Sequence, residues 1–114
     1  MIPEGVKLAK LCRHYAEDKK CVEPVILNLQ KLEGPAPFFF ICSGLVDPHL
    51  KAIANEIVVR MKEEHNIKPD AREGNVGSNW IVLDYGDVLV HILNQEKRLY
   101  YNLEGLWGDA EKVE

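Results

Sequence analysis

Trp80–Trp107 reads WIVLDYGDVLVHILNQEKRLYYNLEGLW, a stretch along which side-chain directions can be counted. Two apolar, β-branched runs, Trp80 to Tyr85 and Val88 to Leu93, flank Gly86-Asp87. Glycine supplies the positive φ that a two-residue primed turn requires, so the runs are predicted to pair as a β-hairpin. That register sets Tyr85 opposite Val88, Leu83 opposite Val90 and Ile81 opposite Ile92. The face they share is wholly apolar or aromatic and belongs to the core. The other face carries Trp80, Val82 and Asp84 on the first strand and Leu89, His91 and Leu93 on the second. It is apolar in patches and set with polar groups, as expected of a surface covered by the protein's own helices or by a partner. A one-residue slip at the turn would exchange the two faces.

Outward from the hairpin, composition sets the frame. A chain of 114 residues with 46% hydrophobic content is expected to form a single domain, residues 1–114, with one core and no need of staples. Fourteen basic against 18 acidic residues give a net charge of −4, which argues against phosphate neutralisation as the main source of binding energy and hence against direct DNA binding. A basic protein partner suits it better. Cys12, Cys21 and Cys42 are odd in number and unpaired in spacing, unlike a secreted disulfide framework, so a reducing cytoplasm is the expected home. No basic segment followed by an apolar run opens the sequence. No apolar stretch approaches the roughly 20 residues that span a bilayer, so no membrane association is expected.

Changes of period mark the other elements. Val6, Leu8, Ala9, Leu11, Cys12, Tyr15 and Ala16 recur at helical spacing and predict a first helix ending in Glu17-Asp18-Lys19-Lys20, its apolar side on the sheet. Pro24 introduces a short β-compatible run, Val25 to Leu29. Gly34-Pro35-Ala36-Pro37 then breaks the chain before Phe38-Phe39-Phe40-Ile41-Cys42. This second run is apolar on both faces, the pattern of a central strand covered on two sides. The strongest helix is predicted after Asp47 as N-cap with Pro48 at the first helical position. Leu50, Ile53, Ala54, Ile57, Val58 and Met61 form one stripe, and the helix should stop near His65 before Asn66-Ile67-Lys68-Pro69. A further short strand is expected near Arg72-Glu73-Gly74. The order α-β-β-α-β-β-β-α predicts an α/β fold with a mixed sheet of about five strands and flanking helices.

Motifs of common enzymes are missing. The sequence has no glycine-rich phosphate loop, no nucleophile elbow and no pair of histidines at helical metal-binding spacing, so no catalytic residue, cofactor or metal site is assigned. Cys12, His14 and Cys21 lack a fourth ligand and the close pairing of a zinc site, and Cys12 reads as core. Asp84 and His91 share a face, with Asp87 at the turn, but no nucleophile or oxyanion donors accompany them. His49, in a helix's first turn, reads as a local hydrogen-bonding group. Ser43-Gly44, between an apolar strand and a helix, stands where nucleotidyltransferases hold a phosphate. Such enzymes also need an acidic pair on a following strand. Asp84 and Asp87 straddle a turn and cannot hold two ions in that way.

Trp80, then Leu83-Asp84-Tyr85-Gly86-Asp87-Val88, Val90-His91-Ile92, Arg98-Leu99-Tyr100-Tyr101-Asn102-Leu103-Glu104 and Leu106-Trp107-Gly108-Asp109-Ala110 together resemble the C-terminal signature of the ribosomal silencing factors, RsfS, also called Iojap-like proteins. His49 to Ala54 and Glu73-Gly74 extend the resemblance over about residues 20–110. The sequence departs from the family pattern at Ala36-Pro37-Phe38-Phe39, where an acidic residue is usual, and at Val46-Asp47-Pro48-His49, which keeps the histidine and loses a basic residue. The resemblance implies a nucleotidyltransferase-like fold without catalytic groups. It further implies a translational repressor that binds the large ribosomal subunit through the ribosomal protein numbered fourteen and obstructs joining of the small subunit.

On that reading the outward hairpin face becomes the expected partner surface: Trp80, Val82, Leu89, His91 and Leu93, with Asp84 as a rim charge. Each has an ordinary alternative: Trp80 and Leu93 packing under the C-terminal segment, Val82 and Leu89 as core, His91 holding the tail by a hydrogen bond. Tyr100, Tyr101, Leu103 and Trp107 are expected to dock the tail on the sheet. Arg98 is expected to form an ion pair. With one greasy sheet face, a homodimer is expected when no partner is present. The competing reading is a nucleotide-binding or nucleotidyltransferase-like protein with its site near Ser43-Gly44.

Overall fold

Why the chain folds as it does is clearest from strand β2, Phe38–Gly44, in which every residue is buried. In the computed structural model, which describes residues 5–74 and 77–114, β2 lies inside a six-stranded mixed sheet. The strands are β1 (Val22–Asn28), β2, β3 (Ala71–Glu73), β4 (Trp80–Asp84), β5 (Val88–Asn94) and β6 (Glu111–Val113), in the order β3-β4-β5-β2-β1-β6. β2 runs parallel to β5 and antiparallel to β1, which is the central position its two-sided apolar pattern requires.

The hairpin register is the one counted from the turn. Ile81 pairs with Ile92 and Leu83 with Val90, while Trp80, Val82 and Asp84 face Leu93, His91 and Leu89. Gly86 takes φ +81, and the Tyr85 amide donates to the Val88 carbonyl at 2.9 Å. Ile81, Leu83, Tyr85, Val88, Val90 and Ile92 are buried together under helices α1 (Gly5–Asp18) and α2 (Asp47–His65). The Tyr15 hydroxyl joins the two helices by donating to Glu64 at 3.0 Å, and Arg60 reaches Asp18 and Glu64 while lying 4.4 Å from the centre of the Tyr15 ring.

Three expectations are corrected, and the mixed sheet of about five strands gains a sixth. The helix-flanking residue of α2 is Val46; Asp47 is already helical, caps nothing, and pairs with Lys51 at 3.3 Å. β1 begins at Val22, because a register shift between Val22 and Val25 accommodates Pro24 within the strand. The segment after the hairpin forms two short helices, α3 (Gln95–Tyr101) and α4 (Leu103–Leu106). The sheet has six strands: β6 pairs Val113 with Ile26 and Glu111 with Asn28 along β1. Both sheet edges, β3 and β6, are three residues long and charged, a form that discourages pairing with another chain. Among the described residues no helix is long and apolar enough to cross a membrane.

Candidate interaction surface

The second face of the sheet is built on Leu27, Phe39, Ile41 and Leu93, over which Leu103, Trp107 and Ala110 of the C-terminal segment pack. That segment turns back because its polar residues cap it. The Asn94 side chain accepts from the Lys97 amide at 2.8 Å and starts α3. Asn102, at φ +46, ends α3 and starts α4. Arg98 then ties α3 inward: Nε donates to Glu104 Oε1 at 2.8 Å, and one terminal nitrogen donates to the Val22 carbonyl at 3.2 Å and Ser43 Oγ at 3.1 Å. The ion pair expected of Arg98 is thus internal, and the residue is 6% exposed.

This returning segment decides where the sequence-derived surface residues lie. Trp80, Val82, Asp84 and Leu89 are half-buried and reach solvent. His91 and Leu93 do not lie on open surface: Leu93 is 0% exposed and His91 is buried, because the tail and Phe39 cover them. The Trp80 indole N–H donates to His91 Nδ1 at 3.2 Å, so the imidazole proton resides on Nε2, which has no partner. Burial pulls the His91 pKa down from 6.5 to about 4, leaving the ring neutral at physiological pH. Asp84 stands apart from His91; its Oδ1 accepts from the Gly86 amide at 2.8 Å and fixes the hairpin turn.

The tail aromatics divide. Leu103 and Trp107 pack on the sheet as expected, with Trp107 6.1 Å from Phe39. Tyr100 and Tyr101 do not dock in that way: Tyr100 is 80% exposed, and Tyr101 lies against Trp80 at 4.7 Å and against Tyr100 at 5.0 Å. With Leu99 and Leu106 also exposed, α3 and α4 leave several apolar residues in solvent, while Leu103 packs on the sheet and a charged residue, Arg98, turns inward. Leu99, Tyr100 and Leu106 were not among the expected contact residues. The signal available was the pair of asparagines, Asn94 and Asn102, which bracket a seven-residue helix. Beside Trp80 an open groove of about 530 Å³ is lined by Glu73, Ser78, Val82, Lys97 and Tyr101. Its aromatic wall and charged rim form a surface suited to another macromolecule.

Ser43-Gly44 is not a phosphate cradle. A side chain at Gly44 would meet Leu50 Cδ2 at 2.7 Å, so the first turn of α2 already occupies the space, and Ser43 Oγ is taken by Arg98. His49 makes local bonds, as its position suggested. Its Nδ1 accepts from the Leu45 amide at 2.9 Å, and Nε2 donates to the Lys19 carbonyl at 2.7 Å. Cys12 is core, while His14 pairs outwardly with Asp18.

Comparison with known proteins gives a consistent result. The family described as "Ribosomal silencing factor during starvation" matches residues 3–114. The ribosomal silencing factor RsfS of Halalkalibacterium halodurans is 39% identical over 108 residues, spanning 95% of this chain and 92% of the relative. The protein of the same name from Bacillus subtilis is 36% identical, over 90% of this chain and 86% of its own. A crystal structure of a Chromobacterium violaceum protein superposes with a TM-score of 0.86 at 31% identity, covering 93% of this chain and 88% of that one.

Proposed function

We propose, from the premise that this chain belongs to the ribosomal silencing factor family, that it represses translation by seating its outer sheet face and tail on the large ribosomal subunit. The family description is that of a regulator, and the chain is a regulatory protein rather than an enzyme. In the proposed mechanism it acts in the cytoplasm, the contact is the ribosomal protein numbered fourteen, and occupation of that site keeps the small subunit from joining. The observation that carries the reading is the open aromatic surface formed by Trp80, Tyr101 and Tyr100 beside the groove over Val82. Large amphipathic rings that are already positioned supply affinity with little ordering cost, and a chain of net charge −4 is drawn to a basic partner. In isolation a second copy uses the same surface, so dimerisation and ribosome binding compete.

The test is co-sedimentation of the purified protein with large subunits, small subunits and joined ribosomes at physiological salt, followed by a subunit-joining assay. Selective binding to large subunits with reduced joining is expected. Trp80→Ala and Leu89→Ala should each weaken binding about tenfold or more while the chain stays folded. Binding unchanged in both variants would place the interface elsewhere, and binding to no particle would end the ribosomal reading.

A further inference from the structure

We propose that Cys21 and Cys42 are a paired-thiol modification site, at which a hydroperoxide oxidises Cys21 and Cys42 resolves the product to an intramolecular disulfide. Three observations converge on these residues. Val22 pairs with Ser43 across β1 and β2, so the residues preceding them stand diagonally across one pair of strands. Both belong to the same layer: Cys42 is fully buried in the helix-covered core, and Cys21, partly exposed at the mouth of β1, packs against that core. A bulge follows at once, with a register shift between Val22 and Val25 and Glu23 at φ +48, which raises the local twist of the strand that must move for sulfur to meet sulfur.

The electrostatics support a division of labour. The side chain of Cys42 is the largest influence on the Cys21 thiol and holds its pKa below the ordinary range, against partial burial and Glu17; Arg98 acts in the same lowering direction. Arg98 bonds to the Val22 carbonyl and to Ser43 Oγ, fixing a cation at the same pair of strands. Cys42 is pushed up by the Cys21 thiol beside it and by burial, and so stays protonated. The exposed partner is therefore the nucleophile and the buried one the resolving thiol.

The chemistry balances with hydrogen peroxide as the oxidant. The Cys21 thiolate attacks one peroxide oxygen, the O–O bond breaks, and the departing hydroxide takes a proton to become water. Cys21 is left as a sulfenic acid. Cys42 sulfur then attacks Cys21 sulfur, the S–O bond breaks, and the leaving hydroxide carries off the Cys42 proton as a second water. Two electrons pass from the thiols to the peroxide, and a thiol reductant reverses the bond.

The experiment is a titration of the purified, reduced chain with hydrogen peroxide, read by intact mass and non-reducing peptide mapping. A loss of two hydrogens, a peptide joining Cys21 to Cys42 and full reversal by dithiothreitol are expected. Cys21 should be consumed at least about tenfold faster than Cys12, whose thiol is sealed in the core and pushed up by burial. Cys21→Ser should abolish the mass change, and Cys42→Ala should leave a sulfenic acid at Cys21 that dimedone traps. Should the buried Cys42→Ala variant fail to fold, Cys21→Ser at the exposed partner still decides. Over-oxidation of Cys21 without a link, a link between two chains, or an undiminished mass change in Cys21→Ser each overturns the proposal.

Discussion

The two faces of this sheet are closed by different means. Beneath α1 and α2, the stripes Leu8-Ala9-Cys12-Tyr15-Ala16 and Leu50-Ile53-Ala54-Ile57-Met61 lie on Ile81, Leu83, Val90 and Ile92, and all are buried. The opposite face is covered by two helices of seven and four residues. Too short to bury a stripe of their own, they are held by Asn94, Asn102 and Arg98. One face is closed by apolar area and the other largely by polar ties. The second leaves Leu99, Tyr100, Tyr101 and Leu106 in the open, so a partner surface and a less stable cover occur together there.

Truncation within the first face should have the largest effect. Ile57 is 0% exposed between helix and sheet. Ile57→Ala should cost about 4 kcal/mol, through the lost transfer of its methyl groups and the cavity left behind. Chemical denaturation should show this as a lower midpoint with the transition still cooperative. A loss under about 1 kcal/mol would mean the helix face is loosely packed and the contrast false.

The second face carries a pH dependence of its own. Because the folded state holds His91 at a pKa of about 4 and the unfolded chain returns it to 6.5, the unfolded state takes up a proton first on acidification. The contribution of the neutral ring is intact above pH 6.5 and is lost as pH falls to about 4, up to about 3 kcal/mol in all. Stability measured from pH 8 to pH 4 should therefore fall more steeply in the wild type than in His91→Gln, whose side chain takes no proton. Parallel curves would show that the tail does not seal His91 from water.

Arg98→Met should then separate the faces. Removing the guanidinium leaves Ser43 Oγ without its donor and Glu104 without its cation, at about 2 kcal/mol. The loss should be local: amide exchange should accelerate through α3 and α4 while α1 and α2 keep their protection. Uniform acceleration across the chain would make the tail part of the same cooperative unit as the helices.

The same contrast explains what could be read from the sequence. The hairpin register followed from a glycine turn between two alternating runs, and α1 and α2 from long periodic stripes, since a face closed by apolar area writes its period into the chain. The tail has no such period. Arg98 points inward because Ser43 and the Val22 carbonyl await it there, residues more than 50 positions away, and local patterning carries no trace of that. β6 is three residues of which two are charged, and it becomes a strand only because β1 offers an unpaired edge. For the same reason His91 and Leu93 read as surface. Alternation fixed which side of the sheet they occupy and could not say that the chain returns to cover them.

Tyr100→Ser should have the smallest effect on stability and is the sharpest test of the contrast. The ring is 80% exposed and meets only Tyr101 among the aromatic side chains described, so stability should move by no more than about 0.5 kcal/mol. If the open aromatic surface exists for a partner, that variant should nevertheless lose affinity for large subunits about tenfold, the loss expected when an anchoring aromatic is truncated at a desolvated contact. Equal losses of stability and binding would tie Tyr100 to the tail's own packing. Unchanged binding would move the contact along the same face toward half-buried Leu89, at the far end of the hairpin from Trp80. Because an exposed tyrosine adds nothing to the fold, only the binding measurement can reveal why the chain leaves one there.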